Sequence, residues 1–178
     1  MNYIKTDIEG PVIIEPRVFG DERGYFFESF RADEFRREVS DVEFVQDNES
    51  WSARRGVLRG LHFQKGEEAQ AKLVRVVKGR VQDVAVDIRE GSPTFGKYVS
   101  VELSGDNHRM VYIPRGFAHG FAVLEDDTIF QYKCDNYYDP ASEGAIRWND
   151  PDIGVEWMLD ESETILSAKD RVAPFLNS

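Results

Sequence analysis

The sequence predicts an all-β fold of two packed sheets, a sandwich or small barrel of which the double-sheet jelly roll is one form. Three observations predict it. Apolar residues recur mostly at period two in short runs, Gly, Pro, Asp and Asn break those runs, and stretches with helical spacing are few. At 178 residues, 41% hydrophobic and 31% charged, the chain is long enough for a buried core and suits one domain over residues 1–178.

In chain order, the segment 10–19 is β-rich and is expected to offer an edge to a partner's sheet. A turn at Gly20-Asp21-Glu22 leads through Arg23 into an aromatic-rich strand over 24–30. Residues 32–39 form the first expected helix, with Phe35 and Val39 one turn apart. In 56–64, period two puts Leu58, Gly60 and His62 on one face, and Gly60 leaves room for a ligand beside the backbone. Strands over 72–77 and 81–88 are joined by a turn at Lys78-Gly79-Arg80. In the second, Val84, Val86 and Ile88 share one face, and Val81, Asp83, Ala85 and Asp87 the other. Strands over 97–103 and 127–134 follow, with turn clusters at 90–93 and 104–107. A second short helix is expected within 161–170.

The charge balance, 22 Lys+Arg against 33 Asp+Glu for a net −11, excludes broad nucleic-acid or anionic-membrane surfaces, because the chain repels polyanions. The single cysteine, Cys134, has no intramolecular partner and fits a reducing compartment. The first seven residues carry charges where a signal peptide needs an apolar run, and no stretch is long enough to span a bilayer. A cytoplasmic enzyme or binding module is expected.

Catalytic groups in such a fold point into a cavity between the sheets. The chain has three histidines, His62, His108 and His119. A lone strand histidine is usually a satisfied core residue, but Arg59 and Gln64 make the His62 segment too polar for a simple core strand. His119 closes a Pro-x-Gly-x-x-His string at Pro114, Gly116 and His119, which resembles the second half of the cupin signature. Cupins usually hold a metal through a His-x-His pair, a following Glu and this second His. Here His62-Phe63-Gln64 supplies one imidazole only, although Glu67 and Glu68 follow. Two histidines without an assured third ligand argue against a transition-metal site, and no metal is expected.

Among the basic residues, solvation at the surface is the ordinary explanation. Arg59 and Lys72 depart from it because they sit in strand-like segments flanking His62, where a guanidinium fork suits pyrophosphate and an ammonium suits a developing oxyanion. Tyr132 either packs with its hydroxyl at the rim or donates a proton into the cavity. Asp170 ends Ser167-Ala168-Lys169-Asp170, which reads either as a helix cap or as the acid of a His–Asp dyad.

With these residues assembled, the chain resembles the dTDP-4-dehydrorhamnose 3,5-epimerase family from about Thr6 to Pro174. The strings that carry the resemblance are Phe19-Gly20-Asp21-Glu22-Arg23-Gly24, Gln46-Asp47-Asn48, 56–64, 70–76, 83–87, Ser92-Pro93-Thr94-Phe95-Gly96, 113–121 and Trp148-Asn149-Asp150-Pro151. The resemblance implies a cupin jelly roll with a few short helices, usually homodimeric and working without metal or cofactor. It implies a dTDP-sugar substrate, dTDP-4-dehydro-6-deoxy-D-glucose, epimerised at C3 and C5 to the L-rhamno form in dTDP-L-rhamnose biosynthesis. The family's base falls on His62, its acid on Tyr132 and the base's carboxylate partner on Asp170, with Lys72 beside the developing charge. Its nucleotide and sugar contacts fall on Arg23, Glu28, Gln46, Asp47, Asn48, Arg59, Lys72, His119, Glu143 and Lys169, and Tyr138 resembles an aromatic packed on the thymine.

The chain departs from the family at Cys134, where members often carry Thr, and in the loop at Arg54-Arg55. Neither removes a group the chemistry needs. Rival readings are an epimerase acting on one carbon of a related dTDP-4-keto-6-deoxy sugar, a metal-dependent cupin oxygenase and a non-catalytic sugar-nucleotide binding module.

Overall fold

Alternating side chains in the strands give each sheet an inward apolar face, and the fold also covers much of the outer faces. The computed structural model describes residues 1–177. Its strands are β1 (Asn2–Lys5), β2 (Val12–Glu15), β3 (Phe19–Asp21), β4 (Gly24–Phe26), β5 (Gln46–Ser52), β6 (Leu58–Gln64), β7 (Lys72–Lys78), β8 (Arg80–Asp87), β9 (Tyr98–Ser104), β10 (Met110–Ile113), β11 (Phe117–Val123), β12 (Thr128–Cys134) and β13 (Glu143–Ala145). A six-stranded sheet runs β1-β2-β10-β7-β12-β5, a five-stranded sheet runs β13-β6-β11-β8-β9, and β3 and β4 form a separate hairpin. The strand pairings within all three are antiparallel, giving the predicted double-sheet jelly roll.

Between the sheets, Val74, Val76, Val111, Ile113 and Phe130 meet Val81, Ala85, Leu103, Phe121 and Val123. Burying an aliphatic or phenyl side chain of this size contributes about 1.5–3 kcal/mol. Phe121 and Phe130 stack across the gap with ring centroids 4.1 Å apart and planes 14° apart. The outer faces are covered as well. Helix α1 (Ala32–Glu38) seats Phe35 on Ile14, Leu73, Met110 and Tyr112, with Asp33 and Glu34 in its first turn and Arg36 and Arg37 in its last, the order its dipole favours. The chain after β13 lays Ile146, Ile153, Trp148 and Leu159 over the five-stranded sheet.

Several expectations from the sequence change on contact with tertiary structure. The aromatic strand expected over 24–30 stops at Phe26, because Phe27 turns to stack on Tyr25 and His108 while Phe30 packs with Phe35 and Phe44. The segment 10–19 offers no free edge through β2, since β1 and β10 occupy both of its sides. The helix expected within 161–170 divides into a 3-10 turn (Glu161–Glu163) and α2 (Ala168–Arg171), separated by residues that bridge to β6's approach at Val57 and Ile165. Among the described residues, no helix is long and apolar enough to cross a membrane.

The two sheets do not join along β5 and β6, and a cavity of about 490 Å³ opens between them there.

Candidate functional site

Which residues face this cavity depends on an irregularity in β6. Leu58 pairs with Ala122 and Arg59 with Phe121, but His62 pairs with His119, so the register slips between the two ends of the strand. Gly60 sits at φ +128, and a Cβ there would lie 2.5 Å from the Gly120 Cα. A Cβ on Gly120 would in turn lie 2.7 Å from the Arg59 carbonyl oxygen. Two residues without side chains let β6 and β11 touch backbone to backbone at this point. The slip corrects both readings made for this strand. Leu58 and Leu61 belong to the outer clusters, although Leu58 also borders the cavity, and Arg59 and His62, three residues apart, both line it. The space beside Gly60 is filled by β11 rather than kept for a ligand.

The five-stranded sheet thus contributes Arg59, His62, His119 and Phe121 to one wall, and the six-stranded sheet contributes Ser50, Lys72 and Tyr132 to the other. Residues 165–167 and Asp170 close the side. His62 Nε2 lies 2.6 Å from Asp170 Oδ1, with the imidazole 31% exposed and the carboxylate 3% exposed. Burial pushes the Asp170 carboxyl up, but its contacts with His62 and Ser167 outweigh this and hold it below the usual range. The second imidazole is built alike but sunk deeper: His119 Nε2 lies 2.8 Å from Asp83 Oδ2, with both side chains buried. Desolvation pulls the His119 pKa down, against the opposing pull of Asp83, so its neutral form is favoured. Phe130 stacks 6.1 Å from its ring.

Lys72 stands on β7 beside Cys134 of β12, its ammonium 5.7 Å from the Tyr132 ring centroid. Desolvation lowers its pKa, and Cys134, Asp83 and Glu143 pull the other way. Desolvation raises the pKa of the Tyr132 phenol, which keeps it protonated near neutral pH. Cys134 is fully buried, receives the Asn48 amide at 3.7 Å and has its pKa pushed up to about 11 by burial, so it stays a neutral thiol.

A polar cluster adjoins the cavity. Gln46 donates to Asn48 at 3.1 Å and accepts from the Tyr138 N–H at 3.0 Å. The Tyr138 hydroxyl donates to Glu143 at 3.2 Å, and Lys169 pairs with Glu143. Three expected contacts lie elsewhere in this chain. Asp47 points to the opposite face of β5, paired with Lys133 at 2.9 Å. Arg23 is bound to Asp21 on the exposed β3–β4 hairpin, and Glu28 is exposed on the chain that follows it. None of the three lines the cavity.

Sequence reasoning missed Asp83, Ser50 and Ser167 as site residues. Asp83 left a signal, an acid set between Val81 and Ala85 on one face of its strand. Among the described residues, no group of three or more His, Cys, Asp or Glu side chains is arranged to hold a metal ion.

An imidazole and a phenol on opposite walls, with an ammonium beside the phenol, can move protons on and off opposite faces of a ring held between them. Comparison with known proteins agrees with that chemistry. Residues 5–178 match the family described as dTDP-4-dehydrorhamnose 3,5-epimerase. The dTDP-4-dehydrorhamnose 3,5-epimerase of Salmonella typhimurium is 56% identical over an alignment that covers 99% of this chain and 96% of that one. A crystal structure of the dTDP-6-deoxy-D-glucose-3,5-epimerase of Legionella pneumophila, in complex with dTDP-4-keto-L-rhamnose, superposes with TM-score 0.95 at 51% identity, covering 99% of this chain and 93% of that one. A 3'-monoepimerase from Streptomyces bikiniensis, in complex with dTDP-quinovose, is similar at TM-score 0.92 and 38% identity, covering 98% and 87%. The chain belongs to the dTDP-4-dehydrorhamnose 3,5-epimerase family.

Proposed function

We propose that the protein epimerises dTDP-4-dehydro-6-deoxy-D-glucose at C3 and C5, giving dTDP-4-dehydro-L-rhamnose. The observation that carries this reading is the pairing of a carboxylate-bound imidazole with a phenol across one cavity. The C3 and C5 hydrogens are both alpha to the C4 ketone, so removing either leaves an enolate with its charge on O4. His62, its ring held by Asp170, takes the proton. Lys72 at O4 stabilises the enolate more than the ketone, and only that difference speeds the step. Tyr132 returns a proton from the opposite face, which inverts the carbon. The phenol arrives protonated, as a donor must, because burial disfavours its phenolate.

Arg59 and His119 bind the substrate from the cavity wall. Gln46, Asn48, Tyr138, Glu143 and Lys169 receive the nucleotide end, with Tyr138 against the thymine. Arg23 and Glu28 reach substrate from a second copy of the chain, and the protein works as a homodimer. Support for this comes from the β3–β4 hairpin, which carries Arg23 away from its own cavity and exposes Tyr25 (60%) and Phe26 (66%) to solvent. Asp47, facing away, contributes through its backbone or through the shape of β5. The chain acts as one domain in the cytoplasm, in keeping with a lone buried thiol. The higher identity to 3,5-epimerases than to the 3'-monoepimerase favours action at two carbons.

The test is solvent exchange in deuterated water, read by NMR of the product. Wild type labels both C3 and C5. His62→Ala loses exchange at both, by about 10²–10⁴-fold for a general base. Exchange persisting near the wild-type rate rejects His62 as the base, and label at one carbon only replaces the dual activity with a single one.

A further inference from the structure

We propose that Ser167 is a positioning residue for the proton transfer, its hydroxyl fixing the plane of Asp170 so that the carboxylate's other oxygen holds the His62 ring. The inference rests on His62 being the base. The Ser167 hydroxyl donates to Asp170 Oδ2 at 2.7 Å, and Asp170 Oδ1 meets His62 Nε2 at 2.6 Å. The Asp170 N–H donates back to Ser167 Oγ at 3.1 Å.

A helix cap explains only the last of these bonds. Capping α2 needs an oxygen that accepts from a backbone N–H, and the hydroxyl proton is then free to point anywhere. Here it is spent on the carboxylate. The need for it follows from the setting. Asp170 belongs to a four-residue helix, too short to hold a side chain by its own rigidity. Its carboxylate is 3% exposed, so solvent does not satisfy Oδ2 in place of Ser167. With both oxygens engaged, the carboxylate cannot rotate about its last bond without losing a partner. The contact with Nε2 then selects the neutral tautomer that carries its proton there, leaving Nδ1 as the basic nitrogen. Ser167 also lines the cavity, so the relay of hydroxyl, carboxylate and imidazole lies along its wall.

Capping and positioning are separable by substitution. Glycine is nearly as good an N-cap as serine, so Ser167→Gly removes the hydroxyl donor while keeping α2 started. Ser167→Thr keeps the donor. Both are compared with wild type and His62→Ala for kcat, KM, label uptake at C3 and C5, and Tm, with dTDP-4-dehydro-6-deoxy-D-glucose as substrate. Losing a hydrogen bond to a charged group predicts that Ser167→Gly lowers kcat and both exchange rates by about 10–100-fold. KM stays within about twofold and Tm within a few degrees, and Ser167→Thr recovers most of the rate. Turnover of Ser167→Gly within about twofold of wild type overturns the inference. So does a fall in Tm that tracks the loss of rate, because that is the mark of a cap. If His62→Ala itself retains exchange, the base assignment fails whatever Ser167 does.

Discussion

The molecule holds two imidazole–carboxylate pairs of nearly equal length, 2.6 Å for His62 with Asp170 and 2.8 Å for His119 with Asp83, on neighbouring strands of one sheet. Their surroundings differ. His62 keeps a third of its surface open to the cavity, and its acid comes from a short C-terminal helix. His119 is nearly closed off, stacked on Phe130, and its acid comes from the adjoining central strand β8. The same two functional groups therefore serve different ends. Access to the cavity suits a ring that gains and loses a proton each turnover. Deep burial suits a ring that keeps one charge state and one orientation, and geometry at the pair does not by itself tell these apart.

Exchanging each acid for its amide gives the largest expected contrast. Asp170→Asn keeps the shape of the partner but not the charge that steadies an imidazolium, and kcat falls about 10³–10⁴-fold with little change in Tm. Asp83→Asn does the reverse, lowering Tm by several degrees while kcat falls about tenfold or less. Equal losses of turnover in both variants break the distinction. Lys72→Met comes next. It lowers kcat by about 10²–10³-fold, and because a desolvated ammonium is costly to bury, urea unfolding finds the variant at least as stable as wild type. A clear drop in stability shows instead that Lys72 is a structural charge.

The smallest effect is a pH dependence of folding. Desolvation lowers the His119 pKa in the folded state, so the unfolded chain binds a proton that the native one does not. The stability tied to this group is full above about pH 6.5, the ordinary histidine value, and is lost as pH falls toward the depressed native value. His119→Gln removes the term, so the fall in Tm between pH 7 and pH 5 is smaller than in wild type. An unchanged fall shows that the buried ring does not contribute it.

Much of this was readable from residue order. The period-two runs through 72–77 and 81–88 correspond to β7 and β8, with Asp83 and Ala85 sharing one face as expected, and the structure turns that face inward. The cavity gathers Arg59, His62, Lys72, His119, Tyr132 and Asp170, drawn from five separate elements. What periodicity could not supply was the inward pairing of Arg59 with His62, because a register slip is decided by how closely two strands approach, and that contact lies sixty residues away at Gly120. The partnership of Asp83 with His119 was hidden for the same reason. Their strands adjoin only once β8 and β11 have paired. The early end of β4 was set by aromatic packing against His108, a long-range contact that no local propensity encodes.

The kissing backbones of Gly60 and Gly120 carry a lesson for anyone wishing to graft this catalyst onto another scaffold. Copying the reactive side chains into a regular sandwich would leave the guanidinium and the imidazole on opposite sides of the sheet. The portable unit is a dislocation with its two bare contact points, and the chemistry travels only if that dislocation does.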